Sequence, residues 1–281
     1  MIKQAIFSIL TYFPVAIFEK LATFNPSSLA YRLATAGLKN RDVTIGHGIA
    51  QGLKFNTGES CPELALGTYE VPIQNIFAQQ LKAGDVFYDI GANVGFFTII
   101  AAKLVGNKGK VYAFEPGKDN ASSIRHNATL NDFSQIEVIE KAVAETSGQG
   151  ELLLAKYSGG HALATADAPP DLAGKVTVDL VSIDELIAQN QIAPPNFVKV
   201  DVEGAELEVL KGMKETIKTY QPTIIYEIDD GDDAAYQRKY RELESYLQSL
   251  NYQVTLTENS YNNIDWYVGH AIATPVALKE N

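Results

Sequence analysis

Apolar residues along the chain gather in short continuous runs, separated by longer stretches with helical spacing. Five runs read as strands buried on both faces: 86–90, 111–115, 136–140, 197–201 and 223–228. Helical patterns at 96–104, 120–130, 183–190 and 205–220 fall between them, an alternation that predicts parallel βαβ units and an α/β fold. A further helix is predicted at 235–250. Runs at 252–257 and 265–270, joined through 258–263, predict an antiparallel hairpin at the end of the sheet. Residues 142–181 are less regular: glycine and proline pairs mark loops around short strands at 151–154 and 175–181. Residues 1–80 read as an N-terminal helical or cap region with short strands within 43–55, and residues 81–281 as the main domain.

The first strand ends in Asp89-Ile90-Gly91-Ala92-Asn93-Val94-Gly95 and runs straight into an apolar helix. Gly91 and Gly95 allow backbone to approach a ligand where a side chain would clash, and the helix start offers unpaired N–H groups. A dinucleotide fingerprint needs glycine where Asn93 and Phe96 stand, and no phosphate-loop Lys-Ser/Thr follows. The second strand ends at Glu115-Pro116, about 24 residues past Gly91, where a carboxylate can accept both hydroxyls of a ribose.

The glycine turn resembles the first motif of class I S-adenosylmethionine (SAM) methyltransferases. Four segments in order are similar to the FkbM-type members of that class: Leu66-Gly67-Thr68-Tyr69-Glu70, the 89–95 turn, Phe114-Glu115-Pro116, and Val198-Lys199-Val200-Asp201-Val202-Glu203-Gly204-Ala205-Glu206. The resemblance covers roughly residues 64–230. It implies a Rossmann-like seven-stranded sheet, mostly parallel with an antiparallel last strand, helices on both faces and an N-terminal helical extension. It also implies SAM as cofactor, S-adenosylhomocysteine as product, and a methyl acceptor that is a small molecule, sugar or lipid-like compound. The cofactor set so implied is Tyr69, Glu70, Asp89, Gly91, Asn93, Gly95, Glu115, Pro116, Ala142 and Asp201.

Methyl transfer is an in-line displacement, so positioning dominates, and a neutral hydroxyl acceptor also needs a base. Asp201 ends the fourth strand and Glu203 lies in the turn after it, while His161 sits in a glycine loop; these three are the catalytic candidates. Each has a plainer reading. Glu203 also suits a helix cap, and His161 an exposed loop residue. Glu206 reads as a surface or helix-start acid, 229–233 as a solvated acidic turn, His126 as structural, and Tyr69 and Glu70 as packing residues. The leading activity is O-methylation; N-methylation and a catalytically silent SAM-binding scaffold are the alternatives.

Composition narrows the partners. The net charge is −11, but residues 1–56 carry six basic and two acidic residues, so the remainder carries −15. An acidic body disfavours a nucleic-acid substrate. One cysteine, Cys61, excludes a disulfide framework and fits a cytoplasmic setting, and the four histidines lack zinc-site spacing, so no metal is expected. The apolar run 5–18 is too short to span a bilayer, is interrupted by Pro14, and lacks a signal-peptide cleavage site. Two roles are expected for it: a helix packed on the domain or on a second copy in a homo-oligomer, or peripheral membrane contact through residues 1–20.

Overall fold

The structure is a computed structural model that describes residues 28–155, 161–166, 172–258, 260 and 266–276, together with Ile17 and Lys20. The run 5–18 lies outside the described residues except for Ile17, as do the glycine pair at 159–160, the proline pair at 169–170 and the start of the last predicted strand. Among the described residues no helix is long and apolar enough to cross a membrane.

The N-terminal part holds α1 (Leu29–Leu38), a small hairpin of β1 (Asp42–Thr44) and β2 (Lys54–Asn56), α2 (Pro62–Leu66) and α3 (Val71–Gln80). The main run follows as β3 (Val86–Ile90), α4 (Phe96–Val105), β4 (Lys110–Phe114), α5 (Lys118–Leu130) and β5 (Ile136–Ile139). Next come the short β6 (Ala142–Val143), β7 (Gly148–Ala155), β8 (Ala162–Leu163) and β9 (Leu172–Val181), then α6 (Ile183–Ala188) and β10 (Phe197–Val200). The chain continues through α7 (Glu206–Gly212), α8 (Lys214–Tyr220), β11 (Thr223–Asp230), α9 (Asp233–Ser249), β12 (Tyr252–Leu256) and β13 (Tyr267–Pro275).

Seven strands form the main sheet in the order β12-β13-β11-β10-β3-β4-β5. β13 inserts between β11 and β12 and is antiparallel to both, while β11, β10, β3, β4 and β5 pair in parallel. The predicted hairpin is therefore real, and its second strand runs on past residue 270 to Pro275.

Period-two alternation divides the sheet into two apolar faces. Tyr88, Ile90, Val198, Val200, Ile224 and Tyr226 point to the side that packs against Leu210, Ile217 and Leu247 of α7, α8 and α9. Phe87, Val111, Phe197 and Ile225 point to the other side, where α4 packs together with Ile45, Phe55, Ile73 and Phe77 of the N-terminal segment. Phe77 stacks edge-on to Phe87 and Phe197 with ring centroids 5.1 and 5.2 Å apart. Residues 45–81 thus share one core with the central strands. Asn127 of α5 fastens the same segment from outside: it accepts from the N–H of Asn56 and donates to the carbonyls of Asn56 and Val94.

Two features depart from the sequence reading. The helix predicted over 205–220 is broken at Met213, whose φ of −123° is not helical. Ser182 donates to the Gly212 carbonyl, and Asp184 accepts from the N–H groups of Glu215 and Thr216, so both ends at the break are capped. In the irregular region 142–181 the predicted strands 151–154 and 175–181 fall within β7 and β9, and these join β6 and β8 in a second, four-stranded sheet in the order β6-β9-β7-β8.

Candidate functional site

The strand registers bring the chemistry into one line. Ile90, Phe114, Val200, Tyr226 and Ala271 are mutual partners across the sheet. One step further along the strands, the row reads Glu115, Gly91, Asp201, Glu227 and His270. Alternation places Asp89, Lys199, Glu227 and His270 on the face covered by α4 and the N-terminal segment.

The glycine turn is tightly built. Gly91 has φ +78°, and a Cβ there would lie 1.7 Å from the backbone carbonyl oxygen of Asp201. Gly95, at φ +86°, starts α4 against Ile124 of α5. Asn93 between them adopts φ +50°, a conformation Asn tolerates better than most residues. Glu115 holds the turn from β4: its carboxylate accepts from the N–H of Asn93 at 2.9 Å and of Gly117 at 2.8 Å. Burial raises its pKa to about 7 even though these bonds favour the charged form. Pro116 follows, half-buried.

Asp89 is fully buried. Its Oδ2 accepts from Thr98 at 2.6 Å, and its Oδ1 lies 3.8 Å from Lys199 Nζ. Lys199, also buried, pairs with Asp201 at 2.8 Å and lies over the Phe97 ring at 5.5 Å. Burial alone would lower the Lys199 pKa, but Asp201 and Asp89 more than offset it and keep the ammonium charged. Burial pushes Asp89 upward, partly countered by Lys199 and Thr98.

Tyr69 and Glu70 enter this face from the turn before α3. Buried Gln74 fixes that turn by donating to the carbonyls of Gly67 and Tyr69 and accepting from the N–H of Ile49. The Tyr69 ring packs against Phe96 and Phe97, with centroids 6.1 and 6.3 Å away. Glu70, at φ +42°, precedes α3, and its buried carboxylate comes within 3.5 Å of His270 Nε2.

Beyond Asp201 the chain turns through Glu203 at φ +54°. No side chain caps the start of α7; Glu206, its first residue, is buried at 6% exposure and ties down the preceding loop. Its Oε1 accepts from the N–H groups of Val202 and Gly204, and burial raises its pKa to about 7. The half-buried Glu203 is pushed well above the usual carboxylate range, first by burial, then by Asp201, Asp229 and Glu227. The 229–233 stretch is not merely a solvated turn. Asp229 and Asp230 end β11, Asp229 accepts from the Trp266 indole at 2.9 Å, and Asp232 caps α9 through the Ala235 N–H.

Two predicted residues belong to the second sheet, which packs against the 202–205 loop through Ala142. His161 lies beside β8 in the second sheet, where its Nδ1 accepts from the Ala155 N–H at 3.1 Å. That bond puts the neutral ring's proton on Nε2. Ala142 is buried in β6 beside Leu152, Leu163, Val178 and Ala205. His126, as expected, is structural: it meets Asp42 at 2.8 Å and ties α5 to β1. His270 escaped the sequence reading because only the β11–β13 register sets it opposite Glu227.

A seven-stranded sheet with one antiparallel strand inserted beside its end, and a glycine turn at the tip of its central strand, defines a class I methyltransferase fold. The particular family follows from comparison: the model of the methyltransferase FkbM domain matches residues 89–254, and the chain belongs to that family. The chain is similar to the hexuronic acid methyltransferase AglP of Haloferax volcanii, 31% identical over 168 residues, which cover 58% of this chain and 64% of AglP. It thus spans less than two thirds of that relative's length. It is also similar to the 31-O-demethyl-FK506 methyltransferase FkbM of Streptomyces tacrolimicus, 24% identical over 66% of this chain and 84% of the relative. Among solved structures, the methyltransferase FkbM from Methylobacillus flagellatus aligns over 92% of this chain and 58% of its own, at 18% identity and a TM-score of 0.46.

Proposed function

We propose that the protein transfers a methyl group from SAM to a hydroxyl of a small-molecule or sugar acceptor. One observation carries the reading: Glu115, Gly91 and Asp201 share a single row at the carboxyl ends of adjacent parallel strands, the place where such sheets hold nucleotide-like ligands. The residues fit the cofactor. The Gly91 and Gly95 turn leaves its backbone bare, and the buried Asp89 Oδ1 and Asn93 Oδ1 have no hydrogen-bond partner among the described residues. In this reading Glu115 accepts the ribose hydroxyls, and Tyr69 and Glu70 face the methionine end. When bound, SAM supplies an electrophilic sulfonium methyl.

The acceptor's proton goes to Glu203. A base works best with a pKa near the operating pH, and burial with the neighbouring carboxylates raises Glu203, like Glu227, well above the usual carboxylate range; Glu203 is the one of the two that lies in the turn beyond the strand ends. Asp201 is held by Lys199 and orients the edge. The chain works in a cytoplasmic setting, and residues 1–20 contact membrane surfaces, a role supported by their apolar run and the +4 charge of residues 1–56.

The test is transfer of methyl-labelled SAM to a panel of uronic acids, neutral sugars, amino sugars and hydroxylated small molecules. Label on a hydroxyl supports the reading, and label only on amines replaces it with N-methylation. SAM binding without turnover on any acceptor replaces it with a scaffold.

A further inference from the structure

Glu70, Glu227 and His270 come from three different parts of the chain and meet in the wall beside Asp201. Glu70 precedes α3, Glu227 lies in β11, and His270 lies opposite it on β13. Each offers one donor atom, and the three atoms lie within 4.8 Å of one another. His270 Nε2 is 3.0 Å from Glu227 Oε2 and 3.5 Å from Glu70 Oε2. A divalent first-row ion with bonds of about 2.1 Å has neighbouring ligand atoms about 3.0 Å apart in an octahedron and about 3.4 Å apart in a tetrahedron. The 3.0 and 3.5 Å spacings from His270 Nε2 fall at those edges.

Two further observations bear on the cluster. Glu227 Oε2 is buried and makes no hydrogen bond among the described residues, although His270 Nε2 lies at contact distance. The carboxylates also outnumber the cations: Glu227 faces Asp201, Glu70 and Asp229, with Lys199 the offsetting charge. Buried like charges of this kind call for a cation among them. Neither Glu70 nor His270 falls within residues 89–254, the span of the family match.

We propose that Glu70, Glu227 and His270 form a binding site for one divalent transition-metal ion. An imidazole with two carboxylates suits Mn²⁺, Fe²⁺, Co²⁺ or Zn²⁺; Ca²⁺ and Mg²⁺ favour oxygen ligands alone. Three protein ligands leave coordination positions open to water or to an oxygen of the acceptor.

The probe is Co²⁺ alone, added to the full chain without SAM and followed by visible absorption and calorimetry. One ion per chain is expected, with a ligand-field spectrum and a rise in melting temperature. His270→Gln and Glu227→Gln should each weaken binding at least tenfold, a lower bound set by the effect of losing mere supporting contacts to ligands. His126→Gln, at an exposed histidine, should leave it unchanged. If both cluster variants fail to fold, a chain with His47, His126 and His161 replaced together decides the matter, because His270 is then the one imidazole left of four. A hyperfine-shifted exchangeable imidazole proton in its Co²⁺ complex supports the site, and its absence rejects it. No binding to the wild-type chain at millimolar Co²⁺, or binding unaltered in both folded variants, overturns the proposal.

Discussion

Gly91 lies so close to Asp201 that a single added methyl would come 1.7 Å from the Asp201 carbonyl oxygen. The tip of β3 and the end of β10 therefore fit together only when position 91 has no side chain. Gly91→Ala should cost about 2–4 kcal/mol in stability, from overpacking plus an L residue forced to positive φ. Thermal denaturation reads the loss. SAM titration should show binding falling out of range, and a stable variant with normal affinity would contradict the packing.

Glu115→Ala should weaken SAM binding by about ten- to a hundredfold, the worth of a buried charge-assisted hydrogen bond. It also frees the N–H groups of Asn93 and Gly117, so part of the loss comes from a loosened turn. Calorimetry on Glu115→Ala beside Glu115→Gln separates the two effects, since glutamine keeps an acceptor for one of those amides. Unchanged affinity in the alanine variant removes the ribose assignment.

Glu115 and Glu206 both have their pKa raised from 4.5 to about 7 by burial. Between those values the folded chain holds more protons than the unfolded one, so stability falls as pH rises from 4.5 to about 7 and levels off above. Each group contributes on the order of 3 kcal/mol across that window. Denaturant titrations at several pH values should show the slope, and the double variant Glu115→Gln with Glu206→Gln should flatten it. SAM affinity should move the other way and strengthen as Glu115 ionises, because the carboxylate is the better acceptor for ribose hydroxyls.

Glu203→Gln should lower turnover by roughly a hundred- to ten-thousandfold with little change in SAM affinity. Turnover of the wild-type enzyme should rise with pH as Glu203 loses its proton. Asp201→Asn should impair both turnover and stability, since it leaves the buried Lys199 ammonium with Asp89 at 3.8 Å as its remaining near partner. His161→Ala should stay near wild type, as its Nδ1 is engaged by Ala155. Full turnover in Glu203→Gln would move the proton to water or to the acceptor itself.

The central strands were legible because a strand buried on both faces is a continuous apolar run, and Val86–Ile90 falls where that run predicts it. Of the second sheet, β7 and β9 were legible only as the short strands 151–154 and 175–181; their pairing into a sheet was not, because β9 is exposed along most of its length and carries no such run. Gly91, Asn93 and Glu115 stood out because local chain geometry makes their roles. His270 depends on a strand pairing between β11 and β13 that no local spacing encodes. Glu206 was legible as a helix-start acid but not as a buried one: its side chain turns back on its own loop, a choice set by burial and not by sequence position.

The two loops that flank the crevice are each tied to a carboxylate of their own, Asn93 and Gly117 to Glu115, and Val202 and Gly204 to Glu206. Their backbone freedom is lost when the chain folds, not when a ligand arrives. In the proposed reading a ligand meets these two loops already in shape, so its affinity carries no deduction for ordering them. Its rate of capture is then set by encounter and by the shedding of water.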